Sequence, residues 1–189
     1  MRHFKYLLFV ALLASLQGCF PVVATGVGAG AMMAADRRTT GAYIEDQEIE
    51  TKAGNRIDQQ YKDKVHVNVT SFNRHVLLTG EVPDADTRTG VERIVTSVTN
   101  VKAVTNELAV SGLSSMSSRA NDTVITGDVK LRFLNNKNAF NADQVKVITE
   151  DGTVYLMGLV FHKEGDAAAQ IASTTRGVQR VVKVFEYLD

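Results

Sequence analysis

The sequence predicts an α+β chain made of two tandem copies of one αββαβ unit, each a three-stranded mixed sheet covered by two helices. Three observations carry that expectation. Apolar residues recur at helical spacing twice, as Ile49, Ala53, Ile57 and as Ile125, Val129, Phe133. Val-rich stretches pair off across turn residues, Asn73-Arg74 in one place and Asp151-Gly152 in the other. Matching residues in the two series stand 76–78 positions apart, the mark of an internal duplication.

The first helix of each copy is expected to open at an acidic cap, Asp46 or Asp122, and to bury the stripe that follows. Val65-His66-Val67-Asn68-Val69 and Val145-Lys146-Val147 then alternate with the period of a strand. The return strands are Val76 to Gly80 and Val154 to Gly158, with Asp151-Gly152 the stronger of the two hairpin signals. A second helix carries Val91, Ile94, Val95 and Val98, matched by Ala168, Ile171, Ala172 and Thr175. The last strands run 101–110 and 178–187. Gly80 and Gly158 inside strands mark close backbone approach, which makes them packing positions rather than a site. The copies span 42–111 and 121–189, with a serine-rich linker at 112–120. A unit this small is marginal alone, which favours two copies leaning on each other.

The chain of 189 residues carries 21 basic and 21 acidic side chains. That balance argues against a nucleic-acid partner, which needs a basic footprint. A content of 44% hydrophobic and 22% charged residues is that of an ordinary globular chain and excludes wholesale disorder. The single cysteine excludes an intramolecular disulfide framework and any Cys-rich metal site.

That cysteine sits in an informative place. Arg2 and Lys5 precede an apolar run from Tyr6 to Ala14, far short of the ~20 residues that span a bilayer. Residues 1–18 therefore read as a signal peptide. Leu16-Gln17-Gly18-Cys19 resembles the lipobox of bacterial lipoproteins, with Gln17 looser than the small residue usual there. Read this way, Cys19 is lipidated; the other reading is a buried structural cysteine after an ordinary cleavage site. Loss of Arg2 and Lys5 with the leader leaves 19 basic and 21 acidic groups, a net charge of −2. Residues 19–41, rich in Gly and Ala, are expected to form a flexible membrane-proximal tether rather than a packed helix. Phe20, not Asp, follows Cys19. In the lipoproteins this leader resembles, Asp at that place retains the protein at the inner membrane, so the outer membrane is implied.

Val76-Leu77-Leu78-Thr79-Gly80-Glu81-Val82, a charged helix, and Val101 to Leu108 together look like a BON domain. Val154 to Val160 with Gly177-Val178-Gln179-Arg180-Val181 looks like a second. Asn100 departs from the family, which often has Gly before that valine. With the lipobox and spacer, the whole chain resembles the dual-BON-domain outer-membrane lipoproteins. The resemblance implies αββαβ domains and an anchored protein on the periplasmic side. It also implies binding to an anionic phospholipid membrane through the first helix of the second domain, and a part in envelope integrity and at division sites. It implies no cofactor; a monomer is expected.

A helical wheel gives that helix two apolar faces. Ile125, Val129 and Phe133 form the core stripe, while Val124, Leu131 and Leu134 lie opposite with Gly127 between them. Lys130 and Lys137 flank Leu134. An apolar patch edged by lysine is what an anionic interface favours. The first copy has Glu48, Thr51, Asn55 and Asp58 at those outer positions, and Gly54 in place of Lys130. Duplication kept the inner stripe and changed the outer one. The residues alone leave the occupant open between membrane lipid and the first domain; the resemblance selects lipid. An envelope protein docked on the same face is the alternative partner. A large aromatic here would insert more deeply than Val124.

Nothing in the sequence points to catalysis. His66, His75 and His162 have no HExxH or HxH spacing, and no GxSxG or P-loop is present. Gly26 to Gly30 lacks the preceding strand of a dinucleotide site. Asp84/Asp86 and Asp46/Glu48 are placed at helix starts, where carboxylates complement the dipole. A non-enzymatic binding protein without metal is expected.

Overall fold

Thr39 opens the first helix, α1 (Thr40–Tyr61), by accepting a hydrogen bond from the Ala42 backbone N–H at 3.1 Å. The computed structural model describes residues 36–136 and 139–189; the leader, Cys19, the tether as far as Ala35, and Lys137 lie outside them. After α1 and a short 3₁₀ turn come β1 (His66–Phe72), β2 (His75–Val82), α2 (Ala85–Thr96), β3 (Ala103–Asn106) and β4 (Ala109–Val110). The second copy follows as α3 (Met116–Asn135), β5 (Lys146–Glu150), β6 (Thr153–Val160), α4 (His162–Ser173) and β7 (Arg180–Tyr187). The αββαβ order and the mixed sheets are as the sequence predicts. β1 runs antiparallel to β2 while β3 and β4 run parallel to it. β5 and β7 flank β6 in the same way. The final strand of the first copy is one strand interrupted. Asn106 Oδ1 accepts from the Leu108 N–H at 3.2 Å, and Leu108 is buried in the core instead of continuing the ladder.

The helices start earlier than expected. Ser115 caps α3, accepting from the Ser118 N–H at 3.2 Å, so α3 begins inside the serine-rich stretch 112–120. Asp46 and Asp122 therefore do not cap. Both are buried within their helices and reach the hairpin turn beneath. Asp46 accepts from the backbone N–H of Asn73 (2.8 Å) and Arg74 (2.7 Å), and Asp122 from those of Asp151 (3.0 Å) and Gly152 (2.9 Å). These turns need left-handed backbone, with φ of 51° and 69° in the first and 46° and 68° in the second. Their N–H groups find no ladder partner, and a buried carboxylate supplies one. Asp84 does cap, accepting from the Thr87 N–H at 2.7 Å at the start of α2.

Each sheet has two buried faces. Val76, Leu78 and Val82 face α1 and α2 with Ile49, Ala53, Ile57, Val91 and Val95. Val154, Leu156 and Val160 face α3 and α4 with Ile125, Val129, Phe133, Ala168 and Ala172. The inner stripes are placed as the wheel predicts. The opposite faces meet each other: Phe72 and Leu77 of the first copy pack on Tyr155, Met157, Leu159 and Val184 of the second. The order of layers is helix, sheet, sheet, helix. Gly80 and Gly158 lie where a side-chain Cβ would overlap the backbone carbonyl oxygens of His66 and Gln144 on the neighbouring segment of the same domain.

Candidate functional site

The outer face of α3 is built by what holds its inner face. Ile125, Val129 and Phe133 lock that side into the core. Arg132 fixes the helix laterally, donating to the Ile171 carbonyl and the Thr175 hydroxyl, both at 2.8 Å, at the C-terminal end of α4. Val124, Gly127 and Leu131 then point outward; Val124 is 61% exposed, Leu131 59% and Leu134 46%. The first domain docks through its sheet and leaves Val124 and Leu131 open; only Leu134, at the end of the stripe, borders a cavity shared with it. Because α3 starts at Met116, the stripe also gains two residues that the sequence reading missed. Met116, 79% exposed, and exposed Ala120 precede Val124 at four-residue intervals. From Met116 to Leu134 the stripe is roughly 27 Å long at 1.5 Å per residue.

Lys130 is exposed along one edge of the stripe, and Asp128 borders the other. Lys137, expected to flank Leu134, lies outside the described residues. Lys130 and Leu134 also edge a cavity of about 440 Å³. Arg38, Tyr43 and Phe72 form its wall from the first copy, and Lys146 stands across from them. Arg38 there is neutralised by Asp36 at 2.7 Å and Asp46 at 2.9 Å, and Lys146 by Glu50 at 2.9 Å. Among the described residues Lys130 has no carboxylate partner, so it is the cation open to an incoming anion. Burial of apolar stripe plus a screened attraction at Lys130 is the chemistry this face can do. No helix among the described residues is long and apolar enough to cross a membrane.

The histidines are dispersed. His162 stacks on Tyr187, with ring centroids 3.9 Å apart, and its Nδ1 lies 2.7 Å from Asp189. His75 faces Thr105 at 2.8 Å, and burial holds its imidazole below the ordinary range. His66 is the one brought beside two carboxylates, Glu81 and Glu150.

Residues 45–112 and 121–189 each match the BON domain family. The chain belongs to that family. It is 40% identical over 176 residues to outer membrane lipoprotein DolP of Haemophilus influenzae, covering 92% of this chain and 91% of that protein. It is also 31% identical over 155 residues to a 21 kDa hemolysin of Actinobacillus pleuropneumoniae, covering 81% of this chain and 79% of that one. The two BON copies share the buried aspartate on the hairpin turn and an arginine at the end of the second helix. Arg56, the counterpart of Arg132, donates to the Ser97 hydroxyl at 3.1 Å. Asn100 replaces the usual BON glycine at φ 71°, matching Gly177 at φ 87°; Asn tolerates that left-handed conformation better than other side chains. The outer faces of the two first helices diverge. In α1 the positions matching Val124, Gly127, Leu131 and Leu134 are Glu48, Thr51, Asn55 and Asp58, all exposed, and Glu48 pairs with Lys52; exposed apolar residues are confined to its start, at Tyr43 and Ile44.

Proposed function

We propose that this BON protein is an outer-membrane lipoprotein, anchored through Cys19 on the periplasmic side, that binds anionic phospholipid through α3 of its second domain. It supports envelope integrity from that membrane, at division sites. One observation carries the lipid reading: Val124, Leu131 and Leu134 are exposed together on a helix whose core face is already filled. The contrast with polar α1 on the same fold argues that this face was altered for an apolar, negatively charged surface. Identity of 40% with an outer membrane lipoprotein over 92% of the chain supports the anchor and the location. Seating each leucine in the interface gains roughly 1–2 kcal/mol, and a basic residue near an anionic surface adds about 1 kcal/mol. One such patch is weak, and the anchor supplies the high local concentration that makes it effective.

The test is sedimentation of residues 36–189, which hold both BON domains without the anchor, with vesicles of phosphatidylglycerol or of phosphatidylcholine. Binding to the first that weakens in salt supports lipid recognition. Absence of binding to both would leave the exposed stripe as a docking face for an envelope protein. Separately, Cys19→Ala should abolish detergent-phase partitioning of the full chain; an unmodified Cys19 in the wild-type protein would contradict the anchor.

A further inference from the structure

His66 of β1, Glu81 of β2 and Glu150 of β5 converge where the two BON domains meet, with donor atoms all within 4.8 Å of one another. The register explains the first two. His66 sits opposite Glu81 across the β1–β2 ladder, both on the face turned toward the second sheet. Glu150 arrives from the second domain at the end of β5. His66 Nδ1 lies 3.0 Å from Glu81 Oε2 and 4.0 Å from Glu150 Oε1. These separations bracket the ~3.4 Å between neighbouring ligands of a tetrahedral cation with bonds of about 2.1 Å.

The charge around this cluster is unbalanced. Glu81 and Glu150 are both buried, and among the described residues neither forms an ion pair with Lys or Arg. Glu81 accepts only neutral donors besides His66, the Ser114 N–H and hydroxyl at 3.2 Å each. Glu150 accepts from the Asn68 amide at 2.8 Å. Arg119 lines the same cavity, but its Nε is given to the Ser114 hydroxyl at 3.0 Å. Two buried carboxylates facing one imidazole are neutralised either by a proton or by a bound cation.

Thr79 belongs to the same cluster. It is 1% exposed, lies on the same face of β2 two residues before Glu81, and stands beside the Glu150 carboxylate. Its hydroxyl is turned toward that carboxylate but makes no hydrogen bond of good geometry. An orphaned buried hydroxyl beside three candidate ligands is what a cation-bound water would satisfy. A cavity of about 330 Å³ lined by His66, Asn68 and Glu150 supplies an entry path.

The geometry points to a divalent-cation site at the junction of the two BON domains, with His66, Glu81 and Glu150 as ligands and zinc as the ion that fits one imidazole and two carboxylates. Coordination through His66 Nδ1 requires the tautomer that carries its proton on Nε2. The ion would tie β1 and β2 of the first domain to β5 of the second, so its effect is on domain coupling. The site does not depend on the lipid reading.

The test uses the full chain in detergent, stripped with EDTA and titrated with Zn²⁺ alone by calorimetry, with thermal unfolding followed in parallel. One saturable equivalent and a raised unfolding temperature are expected. Glu150→Gln, which keeps the shape of the side chain, should abolish both effects. Asn68→Ala, which removes only the amide that orients Glu150, should weaken binding roughly 10–100-fold. Circular dichroism checks that each variant is folded. Absence of saturable Zn²⁺ binding in the wild type, or binding unchanged in both Glu150→Gln and His66→Ala, would overturn the site.

Discussion

Asp122, buried in the middle of α3, accepts a hydrogen bond from the backbone N–H of Gly152 at 2.9 Å and so pins the helix to the β5–β6 turn. The neighbouring Asp151 N–H binds the other carboxylate oxygen at 3.0 Å. Removing the carboxylate leaves two turn donors without partners in a closed site. Asp122→Ala should therefore cost roughly 2–4 kcal/mol, and Asp122→Asn, which keeps one acceptor, distinctly less. Asp46→Ala should cost at least as much, because Asp46 also holds the Ser71 hydroxyl at 2.7 Å and Arg38 at 2.9 Å. Urea denaturation of the three variants checks the ranking.

Phe133 and Leu134 are adjacent in sequence and opposite in consequence. Phe133 is 1% exposed and meets Phe140 edge-on with ring centroids 4.9 Å apart. Phe133→Ala should cost about 3–5 kcal/mol. Leu134→Ala should change stability by less than ~0.5 kcal/mol, as surface changes do. Thermal unfolding of the pair checks the assignment of helix faces. Equal losses would show that α3 is turned the other way.

Much of this was legible in the sequence. The stripes through Ile49 and Ile125, the hairpins and the last strand of each copy follow from periodicity and turn residues. Other features were not, for physical reasons. An aspartate just ahead of an apolar stripe looks the same whether it caps a helix or reaches a turn, so Asp46 and Asp122 were misplaced and Met116 and Ala120 were lost from the outer stripe. The unbroken apolar run from Val154 to Val160 is the mark of a strand buried on both faces. It does not say that the covering layer is the other sheet. His66, Glu81 and Glu150 sit on three strands of two domains, so no local spacing joins them.

Met157 and Leu77 lie at the centre of the sheet-to-sheet contact, 1% and 0% exposed. Met157→Asp buries an unpaired charge between the domains. It should lower the unfolding temperature by ten degrees or more on the order expected for a loss of several kcal/mol. A matching change on the exposed face of α1, Asn55→Asp, should leave it unchanged. Calorimetry of the two variants distinguishes a structural interface from an incidental one.

Arg37 clasps Glu164 at the start of α4 through two hydrogen bonds of 2.6 and 2.8 Å, and this holds the Glu164 carboxyl below the usual range. A lowered folded-state value means the contribution is present above the ordinary carboxylate pKa and is lost as pH falls through the lowered one. The difference in unfolding temperature between wild type and Glu164→Gln should be largest at neutral pH and shrink on acidification below about pH 4.

The measurement closest to the central claim is vesicle sedimentation of Leu134→Glu beside Lys130→Glu, with circular dichroism to show that both are folded. Leu134 is 46% exposed at the rim of the cavity it shares with Phe72 and Val145, so a carboxylate there can turn to solvent and the fold should change little. A carboxylate there removes apolar area and meets a negative surface, and binding to phosphatidylglycerol vesicles should be abolished. Lys130→Glu should weaken binding through charge, since a basic residue near such a surface is worth about 1 kcal/mol. That loss should shrink in high salt, whereas most of the Leu134 loss should persist. Asp58→Lys on the corresponding face of α1 should leave binding unchanged, because its neighbours offer no apolar patch. Folded Leu134→Glu protein that binds these vesicles as well as the wild type would contradict the assignment of α3 as the lipid-binding surface.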